Sequence, residues 1–255
     1  MSRVPWNAEF PDVIVHCAYG SGGAEPRLKE HPLYSSAKGS RDVYAALDLI
    51  DDVVNVEAFE RLKAIVQSSK NGVHFIAPSA HEGDSNNALA ISYAQWLGKE
   101  FDMPVEERIF QEKKHSRDKS DAWFRISHPT EFYGNVDKNI PYVIADDVIT
   151  LGGTLCDLRS FIHQQGGSVI GMTTLASRDG EDKRISLSDA VRAELERTYG
   201  NDLASFCRDI FGYSYDCFSN DEGRIVCNCG GFTQLRKKIV RARDAANPPR
   251  RQRGA

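Results

Sequence analysis

Residues 141–176 read PYVIADDVITLGGTLCDLRSFIHQQGGSVIGMTTLA, and the fold class follows from their order. An apolar run, 142–145, ends in two adjacent acids, Asp146 and Asp147. A short loop, 148–154, carries Thr150, Gly152, Gly153 and Thr154. A helical pattern then places Leu155, Leu158 and Ile162 on one face until Gly166 and Gly167 stop it, and a second apolar run occupies 169–175. Strand, loop, helix and strand in that order predict an α/β unit with a parallel sheet. The loop then sits at the carboxyl end of its first strand, where ligands of such sheets bind.

The loop has a readable chemistry. Gly152 and Gly153 permit unusual backbone angles and close approach of a ligand to the chain. The helix that follows presents unpaired N–H groups and the positive end of its dipole. With the hydroxyls of Thr150 and Thr154 these groups make a cradle for one phosphate. Carboxylates do not serve a phosphate, so Asp146 and Asp147 face something else, and sugar hydroxyls or Mg2+ are the natural candidates. A phosphate, a diol and a metal together describe a phosphorylated ribose. The plainer reading of the same residues is an ordinary strand-to-helix turn with two surface acids.

The string 143–154, VIADDVITLGGT, resembles the 5-phosphoribosyl-1-pyrophosphate (PRPP) motif of type I phosphoribosyltransferases. The resemblance implies a mostly parallel sheet flanked by helices, with variable hood elements from the two ends of the chain. It also implies transfer of 5-phosphoribose from PRPP to a nitrogen acceptor, with Mg2+-assisted release of pyrophosphate. Asp146 and Asp147 then hold the ribose hydroxyls and the metal, and Thr150, Leu151, Gly152, Gly153 and Thr154 hold the 5-phosphate. Leu151 departs from the family, where many members carry Thr or Ala, and its backbone still serves. Hypoxanthine-guanine members often place an acid three residues after the second Asp. Thr150 stands there instead, as in orotate-type motifs, which argues against a 6-oxopurine acceptor without establishing orotate.

Two further segments acquire roles by the same resemblance. The run VHFIAP, 73–78, reads as the first core strand, and the polar loop after it stands where the family binds pyrophosphate. Ser79, Ala80, His81 and Gly83 are the candidates there, although Glu82 would repel pyrophosphate unless it turns away or shares Mg2+. The polar stretch 111–120 stands where the family has a mobile cationic loop. Lys113, Lys114 and His115 are its catalytic candidates, and Arg117 joins the pyrophosphate set. A merely solvated loop is the competing reading.

The rest of the chain bounds the answer. A length of 255 residues, 41% hydrophobic and 27% charged, suits a globular protein with a substantial core. A formal charge of -4 does not suit nucleic-acid binding by bulk charge, which leaves only the basic C-terminal tail for such a contact. No apolar run reaches membrane-spanning length and residues 1–10 lack a signal-peptide core, so the expected location is cytoplasmic. The six cysteines are expected to be free thiols, the weaker alternative being a zinc site of Cys227 and Cys229 with Cys207 and Cys217 as possible partners.

The organisation read from the pattern is an N-terminal strand and helical hood over 1–70, a core over 71–180, a mainly helical extension over 181–246 and a disordered tail over 247–255. Asn55 is placed as a helix cap. His31, Tyr34, Lys38 and Arg41 either reach the site or belong to a solvated packing layer. Residues 123–127 and 132–136 are read as a β-ribbon and 224–229 as a short strand. Phe211, Tyr213, Tyr215 and Phe218 are read as core aromatics rather than as a stacking platform for a base. The family is commonly dimeric, so a homodimer is the expectation. The alternatives to a base-directed enzyme are a non-catalytic PRPP or nucleotide sensor, and a transferase for a macromolecular or modified-base acceptor.

Overall fold

The computed structural model describes residues 2–7, 9–20, 25–79, 88–112 and 121–246. In chain order the first half holds β1 (Ile14–Ala18), α1 (Val43–Val53), α2 (Val56–Ser68), β2 (His74–Ile76), α3 (Ala88–Phe101) and β3 (Ile109–Glu112). Then come α4 (Ala122–Ser127), β4 (Glu131–Gly134), β5 (Tyr142–Val148), α5 (Gly153–Gln164) and β6 (Val169–Ser177). Four helices close the described chain: α6 (Asp189–Tyr199), α7 (Asp202–Phe211), α8 (Asn220–Cys227) and α9 (Phe232–Ala246).

The molecule is an α/β protein with a parallel four-stranded sheet in the order β1-β6-β5-β2, flanked by helices. β5 is an inner strand, with Asp146 opposite Thr174 of β6 and Phe75 of β2 opposite Val143. The two inner strands read as near-continuous apolar runs because helices cover both faces of the sheet. On one face α1, α2 and α3 bury Leu49, Leu62 and Tyr93 against Phe75, Val143 and Ala145. On the other, Leu155, Leu158 and Ile162 of α5 pack on Ile76, Ile144 and Met172. Those three α5 residues are the helical stripe read from the sequence. Asn55 caps α2 as expected, its side chain accepting from the Ala58 amide at 2.9 Å.

The structure corrects two local expectations. Residues 123–127 are not ribbon but part of α4, whose start is fixed by Asp121 accepting from the Phe124 amide at 2.7 Å. The ribbon is made instead by β3 and β4, paired antiparallel from Ile109–Gly134 to Glu112–Glu131. Residues 224–229 are not a strand, because α8 runs through Cys227 from a capping box between Ser219 and Glu222.

Helices α6 to α9 surround a third apolar cluster that includes Leu195, Phe206, Phe218 and Leu235, with Ile126 reaching in from α4. Phe211, Tyr213 and Phe218 are buried in that cluster and Tyr215 packs against it, so these rings are core. The six cysteines are free, and no cluster of potential metal ligands occurs among the described residues. No described helix is long and apolar enough to cross a membrane.

Candidate active site

Asp146 and Asp147 end the buried strand β5 and are themselves only 8% and 5% exposed. Successive strand residues face opposite sides of a sheet. Asp147 shares the face of Val143 and Ala145 with α1, α2 and α3, whereas Asp146 shares the α5 face with Ile144. The Asp146 carboxylate accepts from the Asp147 amide, and the Asp147 carboxylate from the Val148 amide, both at 2.9 Å. Burial and then the neighbouring Asp147 charge hold the Asp146 carboxyl well above the usual carboxylate range.

Asp147 has a partner from far away in the sequence. Lys38, on the π-helical turn Ser35–Gly39, donates from its ammonium to Asp147 Oδ2. Burial works against this cation, but Asp147 outweighs it and raises the Lys38 ammonium above its ordinary value. Of the four residues in the N-terminal element that were candidates for the site, Lys38 is the one paired with an acid of β5. His31 pairs with Asp52 at 3.2 Å, the Tyr34 hydroxyl meets that of Tyr19 at 3.4 Å, and Arg41 lies exposed at a positive φ of 59°. Tyr34 still contributes, because the Lys38 ammonium lies 5.9 Å from its ring centroid.

The loop after β5 turns into α5 at Gly152, which has φ 75° and ψ 0° and offers no side-chain cap. A Cβ there would crowd Ile185 Cδ1, and the left-handed dihedral itself favours glycine. Thr150 is exposed and receives a hydrogen bond at 2.6 Å from Arg125 of α4. Leu151 and Thr154 are partly exposed, as is Gly153. The five residues 150–154 thus form one continuous turn at the mouth of the sheet, next to the acid pair.

A buried ionic network lies behind this turn. Arg3 donates from Nε to Asp157 at 2.7 Å and from Nη1 and Nη2 to Glu222 at 2.5 and 3.1 Å. Burial opposes the Arg3 charge, and Asp157 and Glu222 more than compensate, raising the guanidinium above its ordinary value. Glu222 also accepts from the Ser219 amide at 3.0 Å, and Ser219 donates from its hydroxyl to the Leu151 carbonyl at 2.5 Å. Asp157 accepts from the Thr130 amide at 2.7 Å. The first residues of the chain and the start of α8 therefore meet under the first turn of α5.

Ser79 follows β2, and its carbonyl accepts from the Gln111 amide of β3 at 2.5 Å. The other pyrophosphate candidates, Ala80, His81, Gly83 and Arg117, lie outside the described residues, as do Lys113, Lys114 and His115. The site drawn here is therefore the acid pair and the glycine turn. Sequence reading passed over Arg3, Arg125, Ser219 and Glu222. Only the spacing of Ser219 and Glu222, a capping-box pattern, carried a local signal.

Both acids offer hard oxygen donors, which suit Mg2+. Because they leave the strand on opposite faces, they do not form a two-carboxylate cage, and the remainder of a Mg2+ shell falls to substrate and water oxygens, as is usual for this ion.

No family model matches the chain. It is 26% identical to protein TraN of Escherichia coli over 244 residues, 96% of this chain and 52% of that protein. It is 34% identical to an uncharacterized protein of Haemophilus influenzae over 163 residues, 64% of this chain and 34% of that one. The chain thus spans about half the length of the first relative and about a third of the second. Among solved structures, adenine phosphoribosyltransferase from Leishmania donovani aligns with a TM-score of 0.33 at 13% identity, covering 56% of each chain. The enzyme from Leishmania tarentolae aligns at 0.30 and 14%, covering 55% of this chain and 80% of that one. Likeness at that level carries no functional weight, so the functional reading rests on the geometry of the site.

Proposed function

We propose that the chain binds PRPP and transfers its 5-phosphoribosyl group to a small nitrogenous acceptor. One observation carries this reading. Two buried acids lie at the carboxyl end of an inner strand of a parallel sheet, five residues before a left-handed glycine that opens a helix. The acids fit the hydroxyls of a ribose, and the turn fits its 5-phosphate. Arg125, already bonded to Thr150, adds a cation beside the turn. Ser79 begins the segment assigned to the pyrophosphate.

In this reaction the bond from ribose C1 to the pyrophosphate oxygen breaks, and pyrophosphate leaves with the electron pair. The acceptor nitrogen forms the new bond to C1 and releases a proton. Positive charge develops on the ribose ring, and Asp146 and Asp147, if they hold the sugar hydroxyls, would face it. Holding both ends of the donor keeps C1 in line with the acceptor. Asp146 or Asp147 would hold Mg2+ together with substrate oxygens, and the ion would supply positive charge against the leaving pyrophosphate.

The Lys38–Asp147 pair favours one second reading, a protein that binds a phosphoribosyl ligand without turning it over, because an acid of the site already has an internal counterion. Pyrophosphate release from PRPP with Mg2+ against a panel of purine and pyrimidine bases separates the two. Asp146→Asn/Asp147→Asn serves as the blank. Release that needs one base and disappears in the blank supports the transferase. Binding of PRPP without release for any base supports the second reading, and absence of PRPP binding overturns both.

A further inference from the structure

The geometry points to Ser219 as a positioning residue that decides which way the Leu151–Gly152 peptide faces, and with it the affinity of the turn for phosphate. This rests on the reading of residues 150–154 as the phosphate cradle.

A peptide unit is planar and trans, so the carbonyl of Leu151 and the amide of Gly152 point in opposite directions. Ser219 donates to that carbonyl at 2.5 Å from the α8 side. The Gly152 amide therefore points away from α8. If the plane turned over, the carbonyl would take the place of the amide, and an oxygen dipole would face the anion in place of an N–H. This plane is prone to turn, because its second residue is glycine, which tolerates φ of either sign. Nothing in the turn's own sequence forbids the other orientation. The Ser219 hydroxyl, 68 residues away, selects one.

Ser219 is in turn fixed from behind. Its hydroxyl oxygen accepts from the Glu222 amide at 3.1 Å, and its own amide donates to Glu222 at 3.0 Å. Glu222 is held by Arg3, and Arg3 by Asp157 on α5. The relay Asp157, Arg3, Glu222, Ser219 and Leu151 closes a ring that begins and ends on the two sides of the same turn. Ser219 is 1% exposed, Glu222 1% and Arg3 4%, so water does not compete for these bonds. Such a ring aims a backbone donor before any ligand arrives, as tight anion sites require.

The test compares Ser219→Ala, Ser219→Thr and the unchanged protein. Calorimetric titration with ribose 5-phosphate reads affinity, thermal melting reads the helix cap, and the 15N-glycine spectrum reads the Gly152 amide. The expectation is about tenfold weaker binding in S219A, from loss of one oriented hydrogen bond. A shifted Gly152 amide resonance and near-normal values for both in S219T should accompany it. A purely structural role in capping α8 would lower the melting temperature but leave the dissociation constant and the Gly152 resonance alone, and that result overturns the proposal. If the unchanged protein binds neither ribose 5-phosphate nor PRPP, the phosphate cradle fails. The orientation of the plane is then judged on the ligand-free spectra alone, where an unmoved Gly152 resonance in S219A overturns it and a moved one upholds it. Should S219A not fold, Ser219→Gly, which keeps most of the cap and lacks the donor, takes its place.

Discussion

On the α8 flank the glycine turn leans on charges that water hardly reaches, while on the other flank Asp147 leans on a lysine that water does reach. The Arg3 and Glu222 side chains are 2% and 1% exposed, and Lys38 is 31% exposed. The first set makes several mutual bonds, from the N-terminus through α8 to α5. The second is one ion pair from a short turn, with a tyrosine ring beside the cation. A multiply bonded buried network resists change, because removing any member strands the others. A single half-exposed pair exchanges partners readily and weakens with salt. On the proposed reading, the molecule would pair a fixed phosphate end with an exchangeable sugar end.

The largest effect should come from breaking the fixed side. Arg3→Met leaves Asp157 and Glu222 facing each other without their shared cation. Loss of one partner from a buried ionic group costs about 3–5 kcal/mol, and urea unfolding at neutral pH should show it. A loss under about 1 kcal/mol would show the flanks to be alike, the arginine being no more than a surface charge.

Next in size is an acid-dependent effect on the face that Asp147 shares. His16 of β1 accepts from the Asn55 amide at Nδ1 (3.2 Å), so its proton is on Nε2 and is donated to the Tyr93 hydroxyl at 2.7 Å. Tyr93 donates onward to Thr173 at 2.9 Å, and Thr173 to the Ile14 carbonyl at 3.1 Å. This chain needs a neutral imidazole. Burial lowers the His16 value from 6.5 to about 4. The unfolded chain therefore binds the proton first as pH falls. The stability is fully present above 6.5, drains away between 6.5 and about 4, and totals about 3 kcal/mol. Urea midpoints at several pH values in that window check it, and His16→Gln should flatten the dependence. An equally steep profile in that variant would place the acid sensitivity elsewhere.

Gly152→Ala tests the turn itself. It forces a β-carbon into a left-handed conformation at φ 75° and against Ile185 Cδ1. The strain and the crowding together should cost about 2 kcal/mol. Gly152→Ala should also weaken binding of ribose 5-phosphate; pairing it with Ile185→Ala, read against Ile185→Ala alone, removes the crowding and leaves the dihedral strain, so part of that affinity should return. No recovery would mean that the dihedral alone sets the turn.

These residues also show what a sequence can disclose. Asp146, Asp147 and Gly152 were legible because strand, acids, glycine and helix follow one another within about a dozen positions, and local spacing fixes their relation. The parallel sheet was legible for the same reason. The supports were less so: Lys38 stood among four N-terminal candidates without a named partner, and Arg3 was passed over. Arg3 meets Asp157 and Glu222 across 154 and 219 positions, and Lys38 meets Asp147 across 109. No periodicity encodes such a meeting, since packing of the sheet layers decides it. The error at 224–229 is of another kind. The run Ile225-Val226-Cys227 looks β-prone, and the capping box just before it outweighed that propensity.

The smallest effect on stability, and the one most telling for function, should come from Lys38→Met. The variant keeps the aliphatic stem and removes the charge from a half-exposed pair, at a cost of about 1 kcal/mol or less. Binding should move the other way. On the proposed reading, a ligand hydroxyl or Mg2+ that engages Asp147 competes with Lys38 for the carboxylate. Without the lysine, Mg2+-dependent affinity for ribose 5-phosphate should rise several-fold, and calorimetric titration with and without Mg2+ would read the change. High salt, which screens the ion pair only in the unchanged protein, should narrow the difference in affinity between it and the variant. Weaker binding in Lys38→Met would reverse the contrast between the flanks, because Lys38 would then hold the ligand and not the acid. The exchangeable flank would be a second fixed contact, formed on the ligand in place of Asp147.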